Sequence, residues 1–126
     1  MTKPYTVSFD EEARIVRVRV IGSATHEDHC AGMDDWVKLC ESNKCSKILV
    51  DLRELSTDRS SKMDCFSFGE MLAGISQQLY IAHVLPTDAK SAKDVTFTSK
   101  VERNRGKTTR EFSSIEEAEQ WLLMEH

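Results

Sequence analysis

Alternating apolar and polar residues open the chain and predict two β-strands. Over residues 5–9, Tyr, Val and Phe alternate with polar side chains, as expected for a strand with one buried face. After a DEEA turn the alternation resumes over residues 15–21, with valines pointing one way and arginines the other. Because the two strands are joined so closely, we predict an antiparallel hairpin that ends at Gly22 and Ser23.

The next segment has the three- and four-residue spacing of an amphipathic helix. Thr25 followed by Asp28 resembles a capping box, which predicts that the helix begins near His26. We expect it to end around residues 42–43. Its predicted core stripe consists of Met33, Trp36, Val37 and Cys40.

Two nearly continuous apolar runs predict strands in the middle of a sheet. Residues 47–52 contain an unbroken ILV, which favours a strand covered on both faces. Residues 79–85 form a second such run, and Pro86 ends it because proline cannot donate a hydrogen bond to a neighbouring strand. Between the two runs, a second helix has a predicted core stripe of Cys65, Phe68, Met71, Leu72 and Ile75.

The last part of the chain predicts a helix, a strand and a final helix. Residues 89–105 are amphipathic, and Gly106 follows them as a C-terminal stop. A short strand over residues 108–112 precedes Ser114 and Glu117, which form the pattern of a capping box. The whole order, ββαβαβαβα, predicts one α/β domain over residues 1–126, with a mostly parallel sheet and an antiparallel pair at its start.

Composition narrows the class of function. The 126 residues include 17 basic and 21 acidic side chains, a net charge of −4, which argues against a general nucleic-acid-binding surface. We predict no membrane span, because no apolar run approaches the roughly 20 residues needed to cross a bilayer. The chain enters a strand pattern at once and has no apolar leader, so we expect a cytoplasmic protein with reduced cysteines.

Two segments of the chain resemble a known family. Residues 101–122, VERNRGKTTREFSSIEEAEQWL, join an NRG turn, a strand ending in Phe and a capped helix with EEAxxWL. This arrangement resembles the closing segment of bacterial STAS-like proteins, the small SpoIIAA-like relatives of anti-sigma-factor antagonists. Upstream, KILVDLREL resembles the central strand of that group and the loop after it. The resemblance implies a β-α superhelix around a mixed sheet, an architecture shared with Sec14-type lipid-binding domains, and no enzymatic activity.

The resemblance also implies a functional loop after the central strand. In anti-sigma-factor antagonists this loop carries a serine that a partner kinase phosphorylates, within an Asp-Ser-Ser-Gly type motif. The nearest match here runs from Asp58 to Lys62, where Arg59 separates Asp from Ser and Lys62 stands at the glycine position. The predicted interaction or switch site comprises Arg53, Asp58, Arg59, Ser60, Ser61, Lys62 and Phe66.

Ser60 and Ser61 of this site have two interpretations, and both depend on the unpaired N–H groups at the start of a helix. Ser61 can cap the second helix, with Asp64 as its capping-box partner. A phosphate on Ser60 or Ser61 would lie at the same helix start, where free N–H groups, the helix dipole and nearby basic side chains favour negative charge. The cap is a sufficient structural role for Ser61, and it is the interpretation we favour.

Two other groups of polar residues contain side chains that could bind a metal or an anionic ligand, but neither group forms a complete site in the sequence. His26, His29 and Cys30 include metal-ligand types, yet no second pair with suitable spacing completes a four-ligand set. We therefore predict no metal, cofactor or catalytic residue. A basic group could bind a phosphate-bearing ligand or acidic partner, or simply favour a helix C-terminus: Lys100, Arg103, Arg105, Lys107 and Arg110.

Together these observations predict a non-enzymatic module that binds a partner protein through the loop from Arg53 to Lys62 and the start of the following helix. A homodimer and a small apolar or anionic ligand remain open, and no nucleic acid is expected. The alternative is a small-molecule or lipid carrier with an apolar pocket under the second helix. Its predicted lining is Cys65, Phe66, Phe68, Met71 and Leu72.

Overall fold

In the part of the chain that the structure describes, five strands form one mixed sheet and four helices cover its two faces. The computed structural model describes residues 3–75 and 78–124. The elements are β1 (Tyr5–Asp10), β2 (Ile15–Ala24), α1 (His26–Asn43), β3 (Lys47–Asp58), α2 (Lys62–Ala73), β4 (Tyr80–Val84), α3 (Ala89–Asn104), β5 (Thr108–Phe112) and α4 (Ile115–Leu123). This order, ββαβαβαβα, confirms the one predicted from the sequence.

The strands lie in the sheet in the same order as in the chain, β1-β2-β3-β4-β5. β1 and β2 are antiparallel, with Val7 opposite Val18, and the remaining pairs are parallel. Helices α1, α2 and α3 cover one face of the sheet, while α4 covers the other. The predicted mixed sheet with an antiparallel pair at its start is therefore confirmed.

Covering both faces of the sheet explains why the central strands are so apolar. Ile48 and Leu49 are neighbours in β3, so their side chains point to opposite faces, yet both are fully buried. Ile48 packs in the larger core beneath α1–α3. Leu49 belongs to a smaller core beneath α4, which also contains Ile15, Ala82, Val84, Phe112, Ala118 and Leu122.

The parallel pair β2 and β3 is longer than predicted. We expected β2 to end at residues 22–23 and the central strand to end at residue 52, but pairing continues until Ala24 lies opposite Asp58. Two register shifts interrupt this pairing. They change the spacing of the inward-pointing residues in β3 from two to three, so Leu52, Leu55 and Asp58 are all buried. A search for strict alternation misses a strand with this spacing.

The helices bury most of the residues predicted for their core stripes. In α1, Met33, Trp36 and Cys40 are buried, and Thr25 with Asp28 forms both hydrogen bonds of a capping box. In α2, however, the predicted core residue Met71 is 46% exposed. This helix packs against α3 and α1, and Met71 lies on its solvent-exposed side.

Two further predictions concern cysteines and membranes. The four cysteines are free thiols, as expected. Within residues 3–75 and 78–124, no helix is both long enough and apolar enough to span a bilayer.

Candidate functional site

The predicted interaction site lies where β3 ends and the chain passes into α2. Because β3 extends to Asp58, the connection consists only of residues 59–61. Lys62 is the first residue of α2, and its ammonium group lies 4.9 Å from the centre of the Phe97 ring in α3. Arg53 lies upstream within β3, where its guanidinium donates two hydrogen bonds to Asp51, each 3.0 Å long.

Ser61 caps α2. The N–H of Asp64 donates to Ser61 Oγ at 3.0 Å, and the N–H of Ser61 donates to Asp64 Oδ2 at 3.0 Å. This reciprocal pair confirms the capping-box interpretation of the sequence. The Ser61 N–H also holds the pKa of the Asp64 carboxyl below its usual value.

Replacing the capping serine is expected to weaken the start of α2. Ser61→Ala should lower the free energy of unfolding by about 1 kcal/mol, because the N–H of Asp64 loses its acceptor. Urea denaturation measures this loss. Ser61→Thr keeps a hydroxyl at the same position and should stay within about 0.5 kcal/mol of wild type. Equal stability of the alanine and wild-type proteins would show that this cap does not stabilise α2.

Asp58 ties the end of β3 to α1 and to the connection. Its Oδ1 lies 3.3 Å from Nε2 of His29 and accepts a hydrogen bond from the N–H of Ser60 at 3.0 Å. Burial alone would raise the pKa of the Asp58 carboxyl, but the hydrogen bond and charge of His29, together with Ser60, bring it below its usual value. The carboxylate therefore holds three parts of the chain together.

A cavity of about 80 Å³ lies next to Asp58, between the sheet and helices α1–α3. Its polar border includes His29, Ser60 and His83, and most of its wall is apolar. Of the lining predicted from the sequence, Cys65, Phe68 and Leu72 contribute to the wall. Phe66 and Met71 do not, because they lie on the exposed side of α2, so this part of the prediction is wrong.

The volume of the cavity restricts what it can bind. An engineered protein cavity of about 150 Å³ holds a single benzene molecule. The cavity of about 80 Å³ is smaller, so its size suits a few water molecules or a ligand of a few heavy atoms. A lipid acyl chain would require α1 or α2 to move away from the sheet.

The outer side of α2 is an exposed apolar surface. Met63, Phe66 and Met71 are 70%, 37% and 46% exposed. They occupy the side of the helix opposite Cys65 and Leu72, which are buried. We call these three exposed residues the apolar face of α2. It directly follows residues 59–61, so the predicted interaction loop and this surface are neighbours.

The histidine and cysteine residues at the start of α1 do not converge on one point. Cys30 Sγ lies 3.5 Å from Nε2 of His26, whereas His29 turns towards Asp58. The pairing of His29 with Asp58 was not predicted, because the two residues are far apart in the sequence and belong to different elements. No local spacing in the chain indicates it.

Part of the basic group of residues 100–110 is engaged in ion pairs. Arg105 donates two hydrogen bonds to the carboxylate of Glu70, 2.9 and 3.0 Å long, and joins α3 to α2. Arg103 pairs with Glu111 of β5. These pairs give two of the predicted basic residues structural partners within the fold.

The fold is shared with a solved protein of distant sequence. The chain is similar to the crystal structure of an uncharacterised DUF3478-family protein with a SpoIIAA-like fold from Shewanella loihica PV-4. The two chains are 16% identical, with a TM-score of 0.57, and the match covers 97% of this chain and 96% of the other. No protein-family model and no curated protein matches the chain. The similarity confirms the STAS-like, SpoIIAA-like fold predicted from the sequence.

Proposed function

We propose that this protein is a non-enzymatic regulatory module that binds a partner protein through the apolar face of α2 and residues 59–61. The observation that carries the proposal is the exposure of Met63, Phe66 and Met71 on one side of one helix. The described residues expose six large apolar side chains, and three of them lie here. Clustered apolar side chains on a surface are typical of a protein-binding site.

The composition of this surface suits the centre and rim of a small interface. Full burial of a Met or Phe side chain stabilises a complex by about 1.5–3 kcal/mol relative to exposure. Arg59 and Lys62 precede the apolar face along the chain and are charged, as expected for the polar rim of an interface, while Glu70 lies on the same side of α2 as Met63 and Phe66 and pairs with Arg105. The SpoIIAA-like fold supports this location for the binding surface. So does the family resemblance of the segment before α2, because the resemblance implies a functional loop there.

The state of the buried thiol supports a non-enzymatic role. Cys65 lies beside the cavity, close to a histidine–aspartate pair, which is an arrangement that could suggest a nucleophile. Burial first, and the neighbouring carboxylates second, raise the pKa of the Cys65 thiol above its usual value. Nucleophilic cysteines have a lowered pKa, because the thiolate is the reactive species.

Site-specific photocrosslinking tests the proposal. A photoreactive phenylalanine analogue replaces Phe66 in one protein and Leu123 of α4 in a control, and each is exposed to extract of the source organism. Leu123 is a suitable control because it is apolar and 57% exposed but lies on α4, against the other face of the sheet. We expect a defined partner to crosslink at position 66 and not at position 123.

Affinity measurements with the captured partner complete this test. Met63→Ser combined with Phe66→Ser should weaken binding at least about tenfold, and Leu123→Ser combined with Met124→Ser should not. Unchanged affinity in the α2 variant, or equal loss in the α4 variant, would contradict the proposal. A crosslinked product of two copies of this chain would identify a homodimer as the complex.

A second candidate function is the binding of a small molecule in the cavity. Its wall is mostly apolar and its border carries His29 and His83, so a suitable ligand would have a few heavy atoms and one hydrogen-bonding group. Native mass spectrometry of freshly purified protein measures the additional mass of such a ligand. Repeated preparations without additional mass would count against this candidate.

A further inference from the structure

Three side chains of metal-binding type converge where β3, α2 and α3 meet, and a histidine of α1 lies next to one of them. Asp58 of β3, Cys65 of α2 and Asp94 of α3 each offer one ligand atom, and these atoms lie within 4.8 Å of one another. His29 of α1 adjoins this group through Asp58, since its Nε2 is 3.3 Å from Asp58 Oδ1. The residues come from four separate elements, so only the tertiary structure brings them together.

The distances are close to those of a tetrahedral metal site. Nitrogen, oxygen and sulfur ligands bind zinc at about 2.0–2.3 Å, which places neighbouring ligand atoms about 3.3–3.8 Å apart. His29 and Asp58 already have this separation, at 3.3 Å. The atoms of Asp58, Cys65 and Asp94 would have to approach one another by at most about 1.5 Å, and the His29 imidazole would have to turn towards them. Side-chain rotations can supply a movement of that size.

The chemistry of these side chains favours one class of ion. A thiolate and an imidazole are ligands of zinc and related transition metals, whereas magnesium and calcium take oxygen ligands. Two carboxylates complete a four-ligand set that includes one sulfur, one nitrogen and two oxygens. This combination is typical of a borderline-soft divalent cation.

Neighbouring groups already orient these side chains. Cys65 shares a hydrogen bond with Thr98 of α3, and the N–H of Ser60 donates to Asp58 at 3.0 Å. Lys90 contacts Asp94 from the outside, at 3.3 Å. Groups that hold metal ligands in position in this way are a regular feature of metal sites.

The cluster lies beside the cavity and has a reason for its close packing. His29, Asp58 and Cys65 border the cavity, which has room for a few water molecules next to the cluster. Gly69 lies one helical turn after Cys65. Its missing side chain lets α2 approach α3, because an added Cβ would be 3.1 Å from the carbonyl oxygen of Thr98. This approach brings Cys65 to Asp94.

We propose that His29, Asp58, Cys65 and Asp94 form a binding site for one divalent cation of the zinc type. The site is separate from the apolar face of α2, and it joins three helices to the end of β3. Binding of the ion releases the proton of the Cys65 thiol and replaces the contact between His29 and Asp58 with two bonds to the metal. The proposal is independent of the partner-binding function.

Cobalt titration of the full chain tests the site. Protein that has been treated with a chelator is titrated with Co²⁺, which reports sulfur ligands through a near-ultraviolet charge-transfer band and tetrahedral geometry through strong visible bands. We expect saturation at one equivalent. Cys65→Ser should abolish the charge-transfer band, whereas Cys30→Ser should retain it. Cys30 is the matched control, because its thiol lies 3.5 Å from Nε2 of His26 but is outside the proposed site.

A second measurement keeps the test valid if a Cys65 variant folds poorly. In the wild-type protein, Zn²⁺ should protect Cys65 from alkylation, as mapped by mass spectrometry, and leave the alkylation of Cys30 unchanged. Asp94→Asn, which preserves the size of the side chain, should weaken Co²⁺ binding at least about tenfold. No cobalt spectrum at micromolar concentration, a spectrum that survives Cys65→Ser, or one that disappears with Cys30→Ser would each overturn the proposal.

Discussion

Replacing His83 with alanine is expected to lower the free energy of unfolding by about 3–5 kcal/mol. His83 of β4 and Glu102 of α3 form a buried pair, in which Nε2 of the histidine lies 3.4 Å from Oε1 of the glutamate. Glu102 is 0% exposed. Without the imidazole, its carboxyl group has neither that partner nor water, and the cost is that of an uncompensated polar group in the core. Urea denaturation followed by circular dichroism measures the change.

Replacing both members of this pair is expected to preserve stability, in contrast to replacing His83 alone. Within the described part of the chain, Nδ1 of His83 and Oε2 of Glu102 have no hydrogen-bond partner, so the pair is only partly satisfied. His83→Leu combined with Glu102→Met should therefore be close to wild type in stability, or exceed it, despite the loss expected for His83→Ala. A double variant that loses as much as the sum of its two single variants would contradict this explanation.

Replacing Gly69 with valine is expected to lower the free energy of unfolding by about 3 kcal/mol, the upper part of the usual range for overpacking. A Cβ at position 69 would lie 2.9 Å from both Cβ and Cγ1 of Val101, and 3.1 Å from the carbonyl oxygen of Thr98. Neither neighbour is the flexible end of a long side chain. Helices α2 and α3 must separate to admit the new methyl groups, and urea denaturation reports the cost.

Gly74 provides the matched control for this prediction. It caps the C-terminus of the same helix with a φ of −75°, and an added Cβ would meet only ordinary contacts, the nearest at 3.4 Å from the carbonyl oxygen of Met71. Gly74→Ala should leave stability unchanged or raise it by up to about 1 kcal/mol. A Gly69→Val protein as stable as the Gly74→Ala protein would show that the α2–α3 contact tolerates larger side chains.

Local features of the sequence were sufficient to predict the order of the elements. Helix starts depend on a few consecutive residues, and the capping boxes at Thr25 and Ser61 were both identified in the chain and found in the structure. The unbroken ILV before Asp51 predicted a strand covered on both faces, because only such a strand has apolar residues on both sides. These signals involve neighbouring residues, so they do not depend on the rest of the fold.

The unpredicted extension of β3 shows that the local pattern of apolar and polar residues is insufficient to locate the end of this strand. Leu52, Leu55 and Asp58 are spaced by three residues, which is not the spacing of a regular strand. Register shifts against β2 produce this spacing, and a shift is a property of two paired strands. The segment was therefore interpreted as a loop, although six further residues of it belong to the sheet, Arg53–Asp58.

The candidate sites also divide into those that depend on neighbouring residues and those that depend on residues far apart in the chain. The cap at Ser61 involves only the start of one helix, and it was identified from the sequence. Phe66 was assigned both to the interaction site and to a pocket lining, and the structure places it on the exposed side of α2. His26, His29 and Cys30 are close together in the chain and include metal-ligand types, but they lack the spacing of a complete site. Asp94 is far along the chain from each of them, so no local pattern connects it to His29.

The order of the elements, the helix caps and the SpoIIAA-like class of fold can be read from the chain, because each depends on nearby residues or on a recognisable succession of elements. Which polar residues meet follows only from the packing of those elements. This packing pairs His29 with Asp58 and His83 with Glu102, and it places Cys65 beside Asp94 through the close contact at Gly69. The physical reason is that these contacts depend on how three helices pack on one face of a sheet, and residue spacing along the chain does not contain that geometry.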